Sequence, residues 1–225
     1  MSRLKLATYN LWKDDGEFPK RIQEIPNNIR KNLFDIICLQ EDYCSSDFSS
    51  SKFLNIELDY HYISTPTRMK LRNNQLSSSN LTVLSKYEMK LLDEIYFRKS
   101  EDEERACQFI EFEFEKKKAL LVNTHLCHLS SSNRVFQINT ILKELDKYEH
   151  DIIFFCGDLN AIPIYDEINI IRENGFEDKN KEFTHQDKVT LDYIFHKTES
   201  KLNIESKVML KDFSDHYCLI NTFKF

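Results

Sequence analysis

Apolar residues in this chain fall into short runs bounded by polar or turn residues, the pattern of buried strands. Leu4 to Leu11, Asp35 to Gln40 and Ile152 to Cys156 are the most compact of these runs. The stretch from Tyr60 to Thr124 adds Asn80–Leu84, Lys90–Phe97, Cys107–Phe114 and Ala119–Thr124, and the last part adds Leu191–His196, Ile204–Leu210 and Tyr217–Phe223. Glu111 to Glu115 alternates strictly, which predicts a strand with one wet face, and Lys116 to Lys118 fit its turn. The acidic run Glu101 to Glu104 reads as a solvated hairpin tip.

Helical spacing recurs four times. Pro19 suits a helix start, but Pro26 interrupts the spacing of Ile22, Ile25 and Ile29, which predicts two short pieces or a kink. The serines from Ser45 to Ser51 form a loop leading into a helix with Phe53, Leu54 and Leu58 inward. Asn133 to Tyr148 carries Val135, Ile138, Leu142 and Leu145 at helical spacing, with Asn133 as N-cap. Tyr165 to Glu173 is a helix with Gly175 as its C′ residue. Antiparallel strand runs interleaved twice with helices predict an α/β fold: two sheets packed face to face with helices outside, in one domain over residues 1–225.

Composition sharpens this picture in three ways. The 225 residues are 41% hydrophobic and 12% aromatic, enough for a well-buried core. A formal charge of -6 excludes a general nucleic-acid coat protein but allows a polyanionic substrate held by local cations. None of the six cysteines forms a CxxC pair, so buried free thiols are expected. The start lacks the apolar core of a signal peptide, which makes a cytoplasmic or otherwise intracellular setting the expectation, without a transmembrane segment and as a monomer.

Chemistry is concentrated where the apolar runs stop. They end in Thr8-Tyr9-Asn10, Leu39-Gln40-Glu41, Asn123-Thr124-His125 and Gly157-Asp158-Leu159-Asn160, while Asp192 opens a later run and Ser214-Asp215-His216 precedes the last. Four carboxylates and two imidazoles converging on one sheet edge require a positive charge, and hard oxygen donors suit Mg²⁺ or Mn²⁺. No HExxH or CxxC favours zinc. Histidines beside such a site suit proton transfer and charge stabilisation at phosphorus.

Taken in order, these motifs resemble the endonuclease/exonuclease/phosphatase superfamily, with a DNase-I-like fold, and are similar to those of 5′-tyrosyl-DNA phosphodiesterases. The resemblance spans residues 8 to 216 and implies a four-layer α/β sandwich of two mixed sheets. It implies Glu41 as principal metal ligand with Asn10 and Asp215 beside the metal. Asp158 would orient or deprotonate the attacking water, and Asn160 would hold a phosphate oxygen. His216 would stabilise phosphate charge with its tautomer set by Asp192, and His125 would assist the leaving oxygen. Asn80 stands where relatives often carry glycine, and asparagine tolerates left-handed backbone.

Arg68, Lys70 and Arg72 alternate and would share one face of an extended segment, either as a phosphate-contacting strip or as a solvated loop. Arg105 and Arg134 carry the same two readings. Trp12 and Tyr43 could flank a base, although core packing suits Trp12. The remaining histidines, including His128 and His185, read as packing or surface residues. The expected function is a Mg²⁺-dependent phosphodiesterase acting on nucleic acid. Its alternatives are an inositol-phosphate phosphatase or sphingomyelinase-type phospholipase C, and a non-catalytic binding module of the same fold.

Overall fold

The computed structural model describes residues 2–225 except Leu33, Glu57, Asn73 and 98–103, so most of the acidic run at 101–104 lies outside the described residues. In chain order the elements are β1 (Arg3–Asn10), α1 (Lys20–Asn32), β2 (Ile36–Ser45), α2 (Ser50–Asn55), β3 (His61–Arg72), β4 (Gln75–Ser85) and β5 (Met89–Tyr96). There follow β6 (Ala106–Phe114), β7 (Lys117–His125), α3 (Ser131–Leu145), β8 (Ile152–Asp158), α4 (Asp166–Glu173), β9 (Asp192–Lys197), β10 (Asn203–Met209) and β11 (Cys218–Lys224).

One sheet runs β10-β11-β1-β2-β4-β3 and the other β5-β6-β7-β8-β9. Each is mixed, with one parallel pair: β1 with β2, joined through α1, and β7 with β8, joined through α3. Apolar residues on alternating positions decide the layers. Leu4, Leu6, Phe112, Phe154 and Phe223 fill the space between the sheets. Phe155, Ile138 and Ile168 pack the second sheet against α3 and α4, and Ile22, Ile25 and Leu54 pack the first against α1 and α2. The result is the expected four-layer α/β sandwich. β8 is apolar on both faces because it is covered on both, which explains its unbroken run Ile152–Cys156.

High in the space between the sheets the packing turns polar. Gln40 Nε2 donates to Asn123 Oδ1 (2.8 Å) and to Thr8 Oγ1 (3.1 Å). Asn123 Nδ2 donates to Gln108 Oε1 (3.0 Å), and Gln108 Nε2 to Thr65 Oγ1 (2.8 Å). All five residues are fully buried. Buried amides left unpaired cost about 1–3 kcal/mol each, so this ladder fixes one alignment of the two sheets.

Several local readings change. α1 is one helix with Pro26 inside it rather than two pieces. Ser130, not Asn133, caps α3, accepting from Asn133 N at 3.3 Å. The turn after β6 is Glu115-Lys116, both left-handed, so Lys117 and Lys118 already belong to β7. Asn80 has no left-handed backbone; it lies in β4, and its Nδ2 donates to Ser64 Oγ at 3.0 Å. Gly157 is no turn residue. It faces Thr124 across the parallel pair, where an added Cβ would stand 1.9 Å from the Thr124 carbonyl oxygen. The cysteines are free thiols, all buried except half-buried Cys44. Among the described residues no helix is long and apolar enough to cross a membrane.

Candidate active site

The two parallel pairs decide where chemistry collects, because all four strands end at the same edge. Asn10 ends β1, His125 ends β7 and Asp158 ends β8. Asp192 opens antiparallel β9, so His125, Asp158 and Asp192 lie abreast in register. Glu41 sits where the pairing of β2 with β4 shifts, at φ 51°. That bulge breaks the in–out alternation of the strand and presents the side chain to the cleft. Asn160 is also left-handed, at φ 49°, and its N–H donates to Asp158 Oδ1 at 3.0 Å, a turn suited to asparagine.

Asp158 is the hub. Its Oδ2 accepts from Asn10 Nδ2 at 3.0 Å, a bond that joins the two sheets. His125 Nε2 stands 3.3 Å and His216 Nε2 3.6 Å from the same oxygen. Burial pushes this carboxyl up, but the His216 and His125 rings outweigh burial and hold it well below the usual carboxylate range. His216 Nδ1 meets Asp192 Oδ2 at 2.9 Å. Burial disfavours charge on that ring, yet Asp192 and Asp158 together raise it to about 10. His216 is therefore an imidazolium between two carboxylates at neutral pH.

His125 is held differently. Arg105 Nη1 lies 2.8 Å from its Nδ1, and Arg105 Nη2 lies 3.1 Å from His128 Nδ1. On the metal side, Glu41 Oε2 meets Lys13 Nζ at 3.1 Å, so a cation already stands against this carboxylate. Asp215, whose carboxyl is raised by burial but lowered overall by His185 and His216, lines the same cleft of 330 Å³. Asn10 and Glu41 line it too. Two carboxylates and an amide oxygen are hard donors, and they fit Mg²⁺ or Mn²⁺. His185, Asp215 and His216 also lie close enough together to hold a metal ion.

The motif signal runs through nearly the whole chain. Residues 7–216 match the model of the Endonuclease/Exonuclease/phosphatase family. The chain belongs to that family. Its fold is shared with a family protein from Leptotrichia buccalis, 18% identical, covering 99% of this chain and 100% of that one at a TM-score of 0.78. Mannosyl-6-phosphatase Bt3783 from Bacteroides thetaiotaomicron is 17% identical over 99% of this chain and 100% of its own, with a TM-score of 0.76. TDP2 from Caenorhabditis elegans is 18% identical over 100% of this chain and 75% of its own, with a TM-score of 0.73. No curated protein matches the sequence.

Of the candidate residues, the structure gathers Asn10, Glu41, His125, Asp158, Asn160, Asp215, His216, Arg68 and Arg105 around this family cleft, with Asp192 directly behind. Three others lie apart. Lys70 is exposed on β3 beyond the cleft. Arg72 bonds Asp14 at 2.5 Å and stacks on Tyr43. Arg134 is a buried strut, bonding Glu167 at 2.8 Å and the Cys127 carbonyl oxygen at 3.1 Å. The register is regular from Arg68 to Arg72, so Lys70 and Arg72 sit about 7 and 13 Å further along the strand than Arg68, and Arg134 is turned inward by the demand of a buried guanidinium for partners.

Other cleft residues carried no clear signal. Lys13 reaches Glu41 only because Trp12 and Lys13 are both left-handed, a conformation braced by Arg21. Arg21 donates to the carbonyl oxygens of Leu11, Trp12, Lys13, Asp15 and Phe213 at 2.6–3.1 Å. Half-buried Trp12 lies under that guanidinium and lines the cleft. His128 lines the cleft as well, three residues after His125, and His185 packs edge-on against His216.

Proposed function

We propose that the protein is a divalent-metal-dependent hydrolase that cleaves a phosphodiester by water attack, with a nucleic-acid strand or end as substrate. The observation that carries this reading is the ionised carboxylate of Asp158, bracketed by two histidines beside a cluster of hard oxygen donors. Glu41, Asp215 and the Asn10 amide oxygen would hold the cation. When bound, it supplies Lewis-acid stabilisation of charge on the phosphoryl oxygens.

The side chains divide the remaining work. Asp158, held ionised by the rings beside it, would orient the attacking water through hydrogen bonding or accept its proton. His216, as an imidazolium, stabilises the developing charge on phosphorus-bound oxygen. One Asn160 Nδ2–H is on the Leu126 carbonyl oxygen at 3.0 Å, and the other is the donor for a phosphoryl oxygen. His125, with Nε2–H toward the cleft, assists the leaving oxygen by donating a hydrogen bond to it, and that oxygen takes its proton from water. Arg68, on the cleft wall, contacts the flanking phosphate.

A second reading, a phosphomonoesterase, is favoured by the cations of the compact cleft: Lys13, Arg68 and Arg105 suit a terminal dianionic phosphate. Hydrolysis of bis(p-nitrophenyl) phosphate and of p-nitrophenyl phosphate, each with Mg²⁺ and with EDTA, separates the two. The diester is expected to react with Mg²⁺ only. Phosphate release from the monoester without diester cleavage would replace the first reading by the second. Undiminished rates in EDTA would sink the metal role in both.

A further inference from the structure

At the far end of β1 from Asn10, seven residues or about 23 Å away, the outer face of the first sheet carries a cleft of 470 Å³. The alternation that sends Leu4, Leu6, Leu219 and Phe223 between the sheets turns Arg3, Lys5, Lys207 and Lys224 outward into this cleft. The last turn of α1 and Phe34 close it on one side. Four cationic side chains from three adjacent strands therefore face one carboxylate, Glu205, in a chain whose net charge is -6.

The cations are not balanced by their neighbours. Arg3 stands directly opposite Lys224 in the β1–β11 register, an arrangement that sheets disfavour. Glu205 is taken by Lys224. Asp35, at the margin, accepts from Lys5 N and pairs with Lys86 at 2.8 Å. Among the described residues Lys5 Nζ bonds the Asn32 carbonyl oxygen alone, at 2.9 Å. Arg3 and Lys207 make no ion pair or side-chain hydrogen bond among the described residues. Burial first, and then the charges of Arg3 and Lys207, lower the Lys5 ammonium against the pull of Asp35.

We propose that this cleft binds a compact anion carrying two or more phosphate groups, a polyphosphate that is either inorganic or nucleoside-borne. The cleft matches small-ligand dimensions, and its cations are gathered rather than strung along a stripe, which argues against a nucleic-acid strand. Among the described residues no histidine or paired carboxylate lines it, so the proposal is for a site that holds the anion.

The test uses the full chain in EDTA at low salt, with inorganic tripolyphosphate, ATP and an oligothymidylate as probes in calorimetry and thermal unfolding. Tripolyphosphate is expected to bind and raise the unfolding temperature. Arg3→Glu/Lys207→Glu should weaken it by at least about tenfold, a difference of about 1.4 kcal/mol, and Lys5→Gln should weaken it as well. The ligand-free Arg3→Glu/Lys207→Glu protein should be no less stable than the parent, because like charges have been separated. His216→Ala should bind as the parent does. Equal affinity for tripolyphosphate and ATP assigns the site to the phosphates, and tighter ATP adds the nucleoside. Unchanged affinity in the charge-reversed protein, loss of binding in His216→Ala, tighter oligothymidylate, or no binding at all would each overturn the proposal.

Discussion

Arg105 Nη1 lies 2.8 Å from His125 Nδ1, and a guanidinium can only donate. His125 Nδ1 must accept, so the ring proton sits on Nε2, facing Asp158 Oδ2 at 3.3 Å. Arg105→Met should therefore release the ring to mixed tautomers and lower kcat by about 10²-fold. Arg105→Gln, which keeps a donor, should retain more activity. Nitrogen chemical shifts of the His125 ring check the cause: an unchanged tautomer in Arg105→Met would break the link.

His216 and Asp192 act as a unit, with 2.9 Å between Nδ1 and Oδ2. His216→Ala is expected to cost about 10²–10⁴-fold in kcat. Asp192→Asn should lose a comparable factor with KM little changed, because an amide cannot hold the imidazolium or its tautomer. Single-turnover rates on a chromogenic diester, with circular dichroism to verify folding, decide both.

The same cluster sets a pH dependence of stability. His216 rises from 6.5 unfolded to about 10 folded, so its contribution is complete below pH 6.5 and is lost as pH climbs through about 10. Asp158 is lowered from 3.8, so its contribution is present above that value and disappears as pH falls further. Urea midpoints of the metal-free protein should peak between these limits and decline toward pH 10. His216→Gln should flatten the alkaline decline.

Gly157→Ala tests the close approach of β7 and β8. A Cβ 1.9 Å from the Thr124 carbonyl oxygen forces the strands apart, at a cost of about 3 kcal/mol or more. Because the displaced strands carry His125 and Asp158, activity should fall further than stability alone explains. Activity measured well below the unfolding temperature separates the two effects.

Gln40→Leu and Asn123→Leu should each cost about 1–3 kcal/mol, since each leaves a buried amide partner unmet. Combined, they should cost less than the sum of the two, as expected for groups that satisfy one another. Denaturation of the four proteins in a double-mutant cycle measures the coupling directly.

Much of the fold was legible because β8 and its neighbours are buried on both faces, so their apolar runs stand out and their polar ends mark the edge. The motif residues were legible for the same reason. Arg105 was harder: it nears His125 only through the β6–β7 register, which a sequence does not print. Lys13 depends on two left-handed residues and the brace of Arg21, a tertiary effect with no periodicity. Arg134 misled because one cation type serves phosphate contact and buried struts alike. Of the two outcomes expected at Pro26, separate pieces are ruled out, because tertiary packing of Ile22, Ile25 and Ile29 keeps the helix continuous through it.

The ladder from Thr8 through Gln40 and Asn123 to Gln108 consists of hydroxyl and amide groups alone. These rungs of the joint that aligns the two halves of the cleft are therefore electrically silent, and the first charge comes only beyond them, where the Thr65 hydroxyl donates to the Glu94 carboxylate. Acid, alkali and salt act on Asp158, His216 and their neighbours without loosening those rungs. A rate profile against pH on this protein thus carries the reacting groups and, with them, the Asn10–Asp158 tie between the sheets, while the amide ladder beneath stays the same.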